Sequence, residues 1–157
     1  MTRLGVPVRT MFASHTKVPV EQTRAEIDRL LTRNGATQTL IGYDSEKDLA
    51  AVAFTIDGAR FRLQVPMRVM AAQNKRKVGK PLAGFAREQF YRSRWRAVLL
   101  LLKAKLEIVA IGVSTVEREF MADLLLPNGQ TVEHVIPVLL ERGFLDNLPP
   151  QLTEGDP

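Results

Sequence analysis

Apolar residues recur at helical spacing through residues 87–111, REQFYRSRWRAVLLLLKAKLEIVAI, and the rest of the chain is organised around that stretch. Tyr91, Trp95, Val98, Leu102 and Val109 fall in one stripe at three- and four-residue spacing. Glu88, Arg92, Arg96, Lys103 and Glu107 gather on another side. The run 98–102 is apolar all the way round, which predicts a spine helix enclosed by other parts of the fold.

Upstream, residues 18–21 open a helix, because proline fits a first turn where its missing N–H costs nothing. Val20, Ile27, Leu30 and Leu31 form its apolar side, with Glu21, Arg24, Glu26, Asp28 and Arg33 left to solvent, and Asn34-Gly35 stops it. Alternation then takes over. Residues 37–43, 49–56 and 59–65 read as three strands, with Asp57-Gly58 a two-residue hairpin turn that sets the register. That register pairs Phe54 with Phe61 and Val52 with Leu63 on a face directed at the spine. It leaves Arg60, Arg62 and Gln64 beside Ala51, Ala53 and Thr55 on the other. Residues 6–12 offer a further short strand.

Past the spine, Gly112 ends the helix and Ser114-Thr115-Val116-Glu117 reads as a capping box for a shorter helix to about 125. Pro127-Asn128-Gly129 turns the chain, and Thr131 caps a helix over 132–141 that carries Pro137. The expectation is an α+β fold in one domain, 1–148. It has an N-terminal helix, a three-stranded antiparallel meander, a long buried central helix and two shorter C-terminal helices. Residues 149–157 form a tail.

Charge sharpens this picture. Between Arg60 and Lys105 there are thirteen basic residues against the single acid Glu88, out of 22 basic and 17 acidic in the chain. Such segregation suggests a polyanionic partner for the middle; the competing reading is that basic middle and acidic flanks pair in the fold. Residues 67–84 lack a period and hold Lys75, Arg76, Lys77 and Lys80, a basic loop. Candidate nucleic-acid-binding residues are therefore Arg60 and Arg62 on the sheet, Lys75, Arg76, Lys77 and Lys80 in the loop, and Arg92, Arg94 and Arg96 on the spine. Trp95, although flanked by arginines, shares the apolar stripe and reads as core.

Several chemistries lack support. There is no cysteine, and His15 and His134 lie far apart, so no metal-ligand spacing is present and no cofactor is expected. No phosphate-cradling glycine loop, dinucleotide fingerprint or nucleophile elbow occurs. Asp44, Glu46, Asp48 and Asp57 are better explained by turns than by a nuclease centre. No stretch approaches a membrane span, and the N-terminus lacks the apolar run of a signal peptide.

Two stretches carry a resemblance: TKVPVEQTRAEIDRLLTRNGA, and RSRWRAVLLLLKAKLEIVAIGVSTVEREFMADLLLPNGQTV. Together with the meander they resemble a group of small bacteriophage- and prophage-encoded proteins over roughly residues 15–140. That resemblance implies a phage setting and a bacterial host cytoplasm, and transfers no catalytic or binding residue. The leading expectation is a non-enzymatic nucleic-acid-binding accessory protein, directed at phosphates of single- or double-stranded nucleic acid. The alternative is an interaction or anti-defence protein that binds a host protein or forms a homo-oligomer. The grounds for it are the apolar helical stretches 116–126 and 132–140. A third class, a small enzyme on a nucleotide, rests only on basic groups that could hold phosphate.

Overall fold

The structure, a computed structural model, describes residues 12–67 and 85–143. Its elements run α1 (Val20–Arg33), β1 (Gln38–Asp44), β2 (Leu49–Ile56), β3 (Ala59–Pro66), α2 (Phe85–Ala110), α3 (Val116–Glu119), a 3₁₀ turn (Met121–Asp123) and α4 (Val132–Glu141). The fold is α+β, with the helix, the meander, the long helix and the C-terminal helices in the expected order.

The three strands form an antiparallel sheet in the order β1-β2-β3, and the β2–β3 pairs are those the Asp57-Gly58 turn dictates. Both turn residues sit at positive φ, +51° and +81°, as a turn matched to strand twist needs. Asp44 holds the other hairpin: its Oδ1 accepts from the Glu46 and Lys47 amides at 2.9 and 3.1 Å.

Alternation decides which side of the sheet is covered. Ala50, Val52, Phe54 and Ile56 of β2 and Phe61 and Val65 of β3 are buried against Ile27 and Leu31 of α1 and Trp95, Val98, Leu99, Leu102 and Leu106 of α2. Phe54, Phe61 and Phe120 meet with ring centroids 5.2–5.8 Å apart, so Phe120 fastens the segment after α3 to the core. That segment also guards the free edge of β3. Leu124 bridges Phe61, the Leu125 amide donates to the Arg60 carbonyl at 2.8 Å, and Leu125 in turn bridges Thr131. At the opposite edge, Arg24 of α1 donates to the Ile41 carbonyl at 2.8 Å, and Thr39 bonds Asp28.

Four expectations need correction. The run 98–102 is not enclosed: Leu100 and Leu101 are 45% and 43% exposed, because neighbours cover only one side of α2 there. The cap of α3 is Thr115, which accepts from the Arg118 amide, whereas the Ser114 hydroxyl is buried without a partner among the described residues. α3 stops after one turn because Phe120 swings into the core and the chain goes on extended to pair with β3. Thr131 stands at the α4 N-cap, but its hydroxyl bonds the His134 ring nitrogen at 2.7 Å instead of a backbone amide. The suggested strand at 6–12 falls largely, and the tail 149–157 entirely, outside the described residues.

Candidate functional surfaces

The parity of β3 determines where its arginines go. Phe61 and Val65 point into the core, so Arg60, Arg62 and Gln64 emerge on the opposite face, away from both helices. Across the three strands this face reads Gln38–Thr55–Arg60, then Leu40–Ala53–Arg62, then Gly42–Ala51–Gln64, with no acid in those rows. A shallow trough crosses it between Gln38, Leu40, Thr55, Arg60 and Leu125. Arg60 is exposed. Arg62 is pinned, its Nη2 donating to the Gly129 carbonyl at 2.9 Å and its Nε buried without a partner among the described residues.

The spine arginines belong to the other layer and are individually engaged. Arg92 pairs with Glu88 one turn earlier. Arg96 donates through Nη1 to both carboxylate oxygens of Glu26 on α1, each at 3.0 Å. Arg94 lies against the Phe90 ring at 4.7 Å, and partial burial holds its guanidinium below the ordinary arginine range. Beyond them, Lys105 reaches Asp123 at 3.7 Å and the Glu119 carbonyl at 2.6 Å. Thus Arg60 and Arg62 face one way and Arg92, Arg94 and Arg96 another, and Arg96 and Lys105 are met by acids from the two flanks. No common basic surface joins sheet and spine among the described residues. Lys75, Arg76, Lys77 and Lys80 lie outside them.

One polar cluster escapes any local sequence pattern. Tyr43 at the end of β1 and Tyr91 on α2 both donate to Asp48 Oδ1, at 2.6 and 2.9 Å, and Arg87 Nε donates to the Tyr91 hydroxyl at 2.9 Å. The bond to Asp48 comes first in holding the Tyr43 phenol protonated well above its usual range, followed by the contact with Tyr91. Below it is a cavity of about 120 Å³ between Val20, Arg24, Tyr43, Met67, Tyr91 and Trp95. Both phenol protons are committed to Asp48, and the Arg87 Nε–H to the Tyr91 hydroxyl. The cluster is a clasp between the first hairpin and the start of α2. In the sequence Asp48 stood out as a turn acid and Tyr91 as part of the apolar stripe, but not as partners, since Tyr43 and Tyr91 lie 5 and 43 residues from Asp48. No group of three or more potential metal ligands occurs among the described residues.

The outward side of α2 is the second feature the sequence reading passed over. Ala97, Leu101, Ala104, Ile108 and Ile111 recur at spacings of four, three, four and three, with Leu100 beside them. Leu101, Ile108 and Ile111 are 43%, 38% and 61% exposed. The helix ends in a Schellman turn at Gly112, φ +75°, where the Val113 amide donates to the Ile108 carbonyl at 3.1 Å, so exposed Val113 extends the same apolar surface. α4 adds exposed Ile136, Val138, Leu139 and Leu140. No helix among the described residues is long and apolar enough to cross a membrane. No protein-family model matches the chain, and no match is found among curated proteins or among solved structures.

Proposed function

We propose that the chain is a non-enzymatic interaction module that presents the outward side of α2 to another polypeptide. The observation that carries this reading is a helix whose inner side is fully packed while Leu100, Leu101, Ile108 and Ile111 stand in solvent. Contiguous exposed apolar surface on a small domain marks a contact site far more often than it persists bare. In the phage setting that the sequence resembles, the partner is a host protein or a further copy of the chain, in the host cytoplasm.

A nucleic-acid reading keeps one structural support: the open face of the sheet, whose rows from Gln38–Thr55–Arg60 to Gly42–Ala51–Gln64 hold no acid before Asp44 at the end of β1, with Arg60 exposed on it. It takes a reduced form, a phosphate contact by Arg60 and Arg62 joined by Lys75, Arg76, Lys77 and Lys80, without Arg92, Arg94 and Arg96. Base stacking on the sheet is not part of it, because Tyr43, Phe54 and Phe61 point to the helix side.

Light scattering with and without a single-stranded oligonucleotide separates the two. The interaction reading expects a particle mass, of monomer or oligomer, that is indifferent to oligonucleotide. A monomer that gains mass only with oligonucleotide, steeply weakened by salt and further weakened by Arg60→Ala, overturns it in favour of the nucleic-acid reading.

A further inference from the structure

The outward side of α2 carries more than apolar character, and its details narrow the partner. We infer that it pairs with the same side of a second copy, antiparallel, about a two-fold axis passing close to Ala104. This rests on the interaction reading above and names its partner.

Spacing is the first ground. Residues 97, 101, 104, 108 and 111 form an uninterrupted four-three seam, the pattern that keeps one straight helix face against another helix. A seam of this kind is matched by a helix with the same repeat, and the chain carries one such helix itself. The order of sizes along the seam is the second ground. Small Ala104 stands at its centre, with Leu101 and Ile108 on either side. An antiparallel copy centred there sets Ala104 against Ala104 and each Leu101 against the other copy's Ile108. The axes can then approach to the ~8 Å end of helix packing distances while the larger residues fill the space beside the centre.

Charge is the third ground, and it chooses the orientation. Lys103 and Glu107 are exposed on one flank of the seam, and neither has an ion-pair partner among the described residues, although Lys103–Glu107 is a pair that helix spacing invites. Antiparallel pairing about Ala104 brings Lys103 of each copy to Glu107 of the other, giving two reciprocal ion pairs. Parallel pairing about a two-fold would place the two Lys103–Glu107 flanks on opposite sides of the seam, where neither flank could meet the other. The opposite flank is already closed within the chain by Lys105 and Asp123, whereas Lys103 and Glu107 stand open beside the seam. A seam confined to one face of a single helix is smaller than the ~800 Å² per partner of a standard interface, which places the pair in the weak, concentration-dependent class.

The test uses the absence of cysteine from the full chain. Ala104→Cys introduces a single thiol at the axis, and Ser45→Cys, on an exposed turn, is its control. Mild oxidation is expected to link two copies of the Ala104→Cys chain much faster than two copies of the control. Adding Leu101→Glu to Ala104→Cys is expected to remove that advantage. Lys103→Glu alone should weaken the dimer seen by light scattering, and adding Glu107→Lys should restore it. That rescue is a readout a folding defect cannot mimic. Equal linking rates with a monomeric particle overturn the inference, and the thiol at the axis position then reports on the broader reading. If it reacts freely with a bulky maleimide, the face is open to a different polypeptide and the interaction reading stands. If it is blocked, the chain covers the face itself and both fall.

Discussion

The two sides of α2 are built from the same kinds of residue and end in opposite surroundings. Val98, Leu99, Leu102 and Leu106 are buried against α1 and the sheet, whereas Leu100, Leu101 and Ile108 on the same turns are 38–45% exposed. Side-chain apolarity therefore sets what a residue gains from burial and says nothing of whether this chain supplies the cover. Cover is geometric: α1 and one face of a three-stranded sheet span about half a helix circumference, and the segment after α3 closes only the flank that holds Lys105.

The widest separation of the two sides should appear on truncation. Leu102→Ala opens a cavity in a packed core and is expected to cost about 2–5 kcal/mol in urea unfolding. Leu101→Ala, one residue away, should cost under ~1 kcal/mol at protein concentrations where the chain is monomeric. Equal losses at the two positions would mean that both sides are buried, and the comparison would fail.

A smaller effect probes how the inner layer disposes of its charge. Glu26 accepts two hydrogen bonds from Arg96, and both side chains are about one-quarter exposed. Glu26→Gln is expected to cost about 1–2 kcal/mol, between the values for exposed pairs and for buried charged hydrogen bonds. A double-mutant cycle with Arg96→Met should return most of that loss as coupling. Coupling near zero would release Arg96 as a free surface cation and revive a basic spine edge.

These contrasts also show why the chain was legible in parts. The meander could be read because Asp57-Gly58 fixes its register within two residues and alternation sorts Phe54 and Phe61 from Arg60 and Arg62 locally. α2 could be read because its periodicity persists from Tyr91 to Val109. What a neighbour does is a different matter. That Glu26 would meet Arg96, 70 residues on, or that Asp48 would gather Tyr43 and Tyr91, depends on how α1, the first hairpin and α2 are brought together, and no local window contains it. The capping box at Ser114 failed for a related reason. Local capping preferences there compete with Phe120, whose burial beside Phe54 and Phe61 sets where the chain must go, and the cap shifted to Thr115. The run 98–102 misled because a stretch apolar all round is the pattern both of an enclosed helix and of one awaiting a partner.

The smallest effect distinguishes the closed flank of α2 from the open one. Asp123 is 6% exposed, and burial raises its carboxyl above the ordinary 3.8, with Lys105 pulling the other way and not prevailing. Because the folded value lies above the unfolded one, the native state holds this proton more tightly. Its contribution to stability is complete below pH 3.8 and is lost as pH rises through the folded value. The unfolding free energy of the wild type minus that of Asp123→Asn should therefore decline with rising pH across that window and level off above it. Carboxylates remote from Asp123 cancel in this difference, and Glu133, which also raises the Asp123 carboxyl, acts in the same direction as burial, so the sign reports on Asp123 and its surroundings. A difference that rises with pH would mean that attraction to Lys105 outweighs desolvation. That flank would then be held by an ion pair of the kind Lys103 and Glu107 are poised to make with a second copy, and the two flanks would differ only in where their partner comes from.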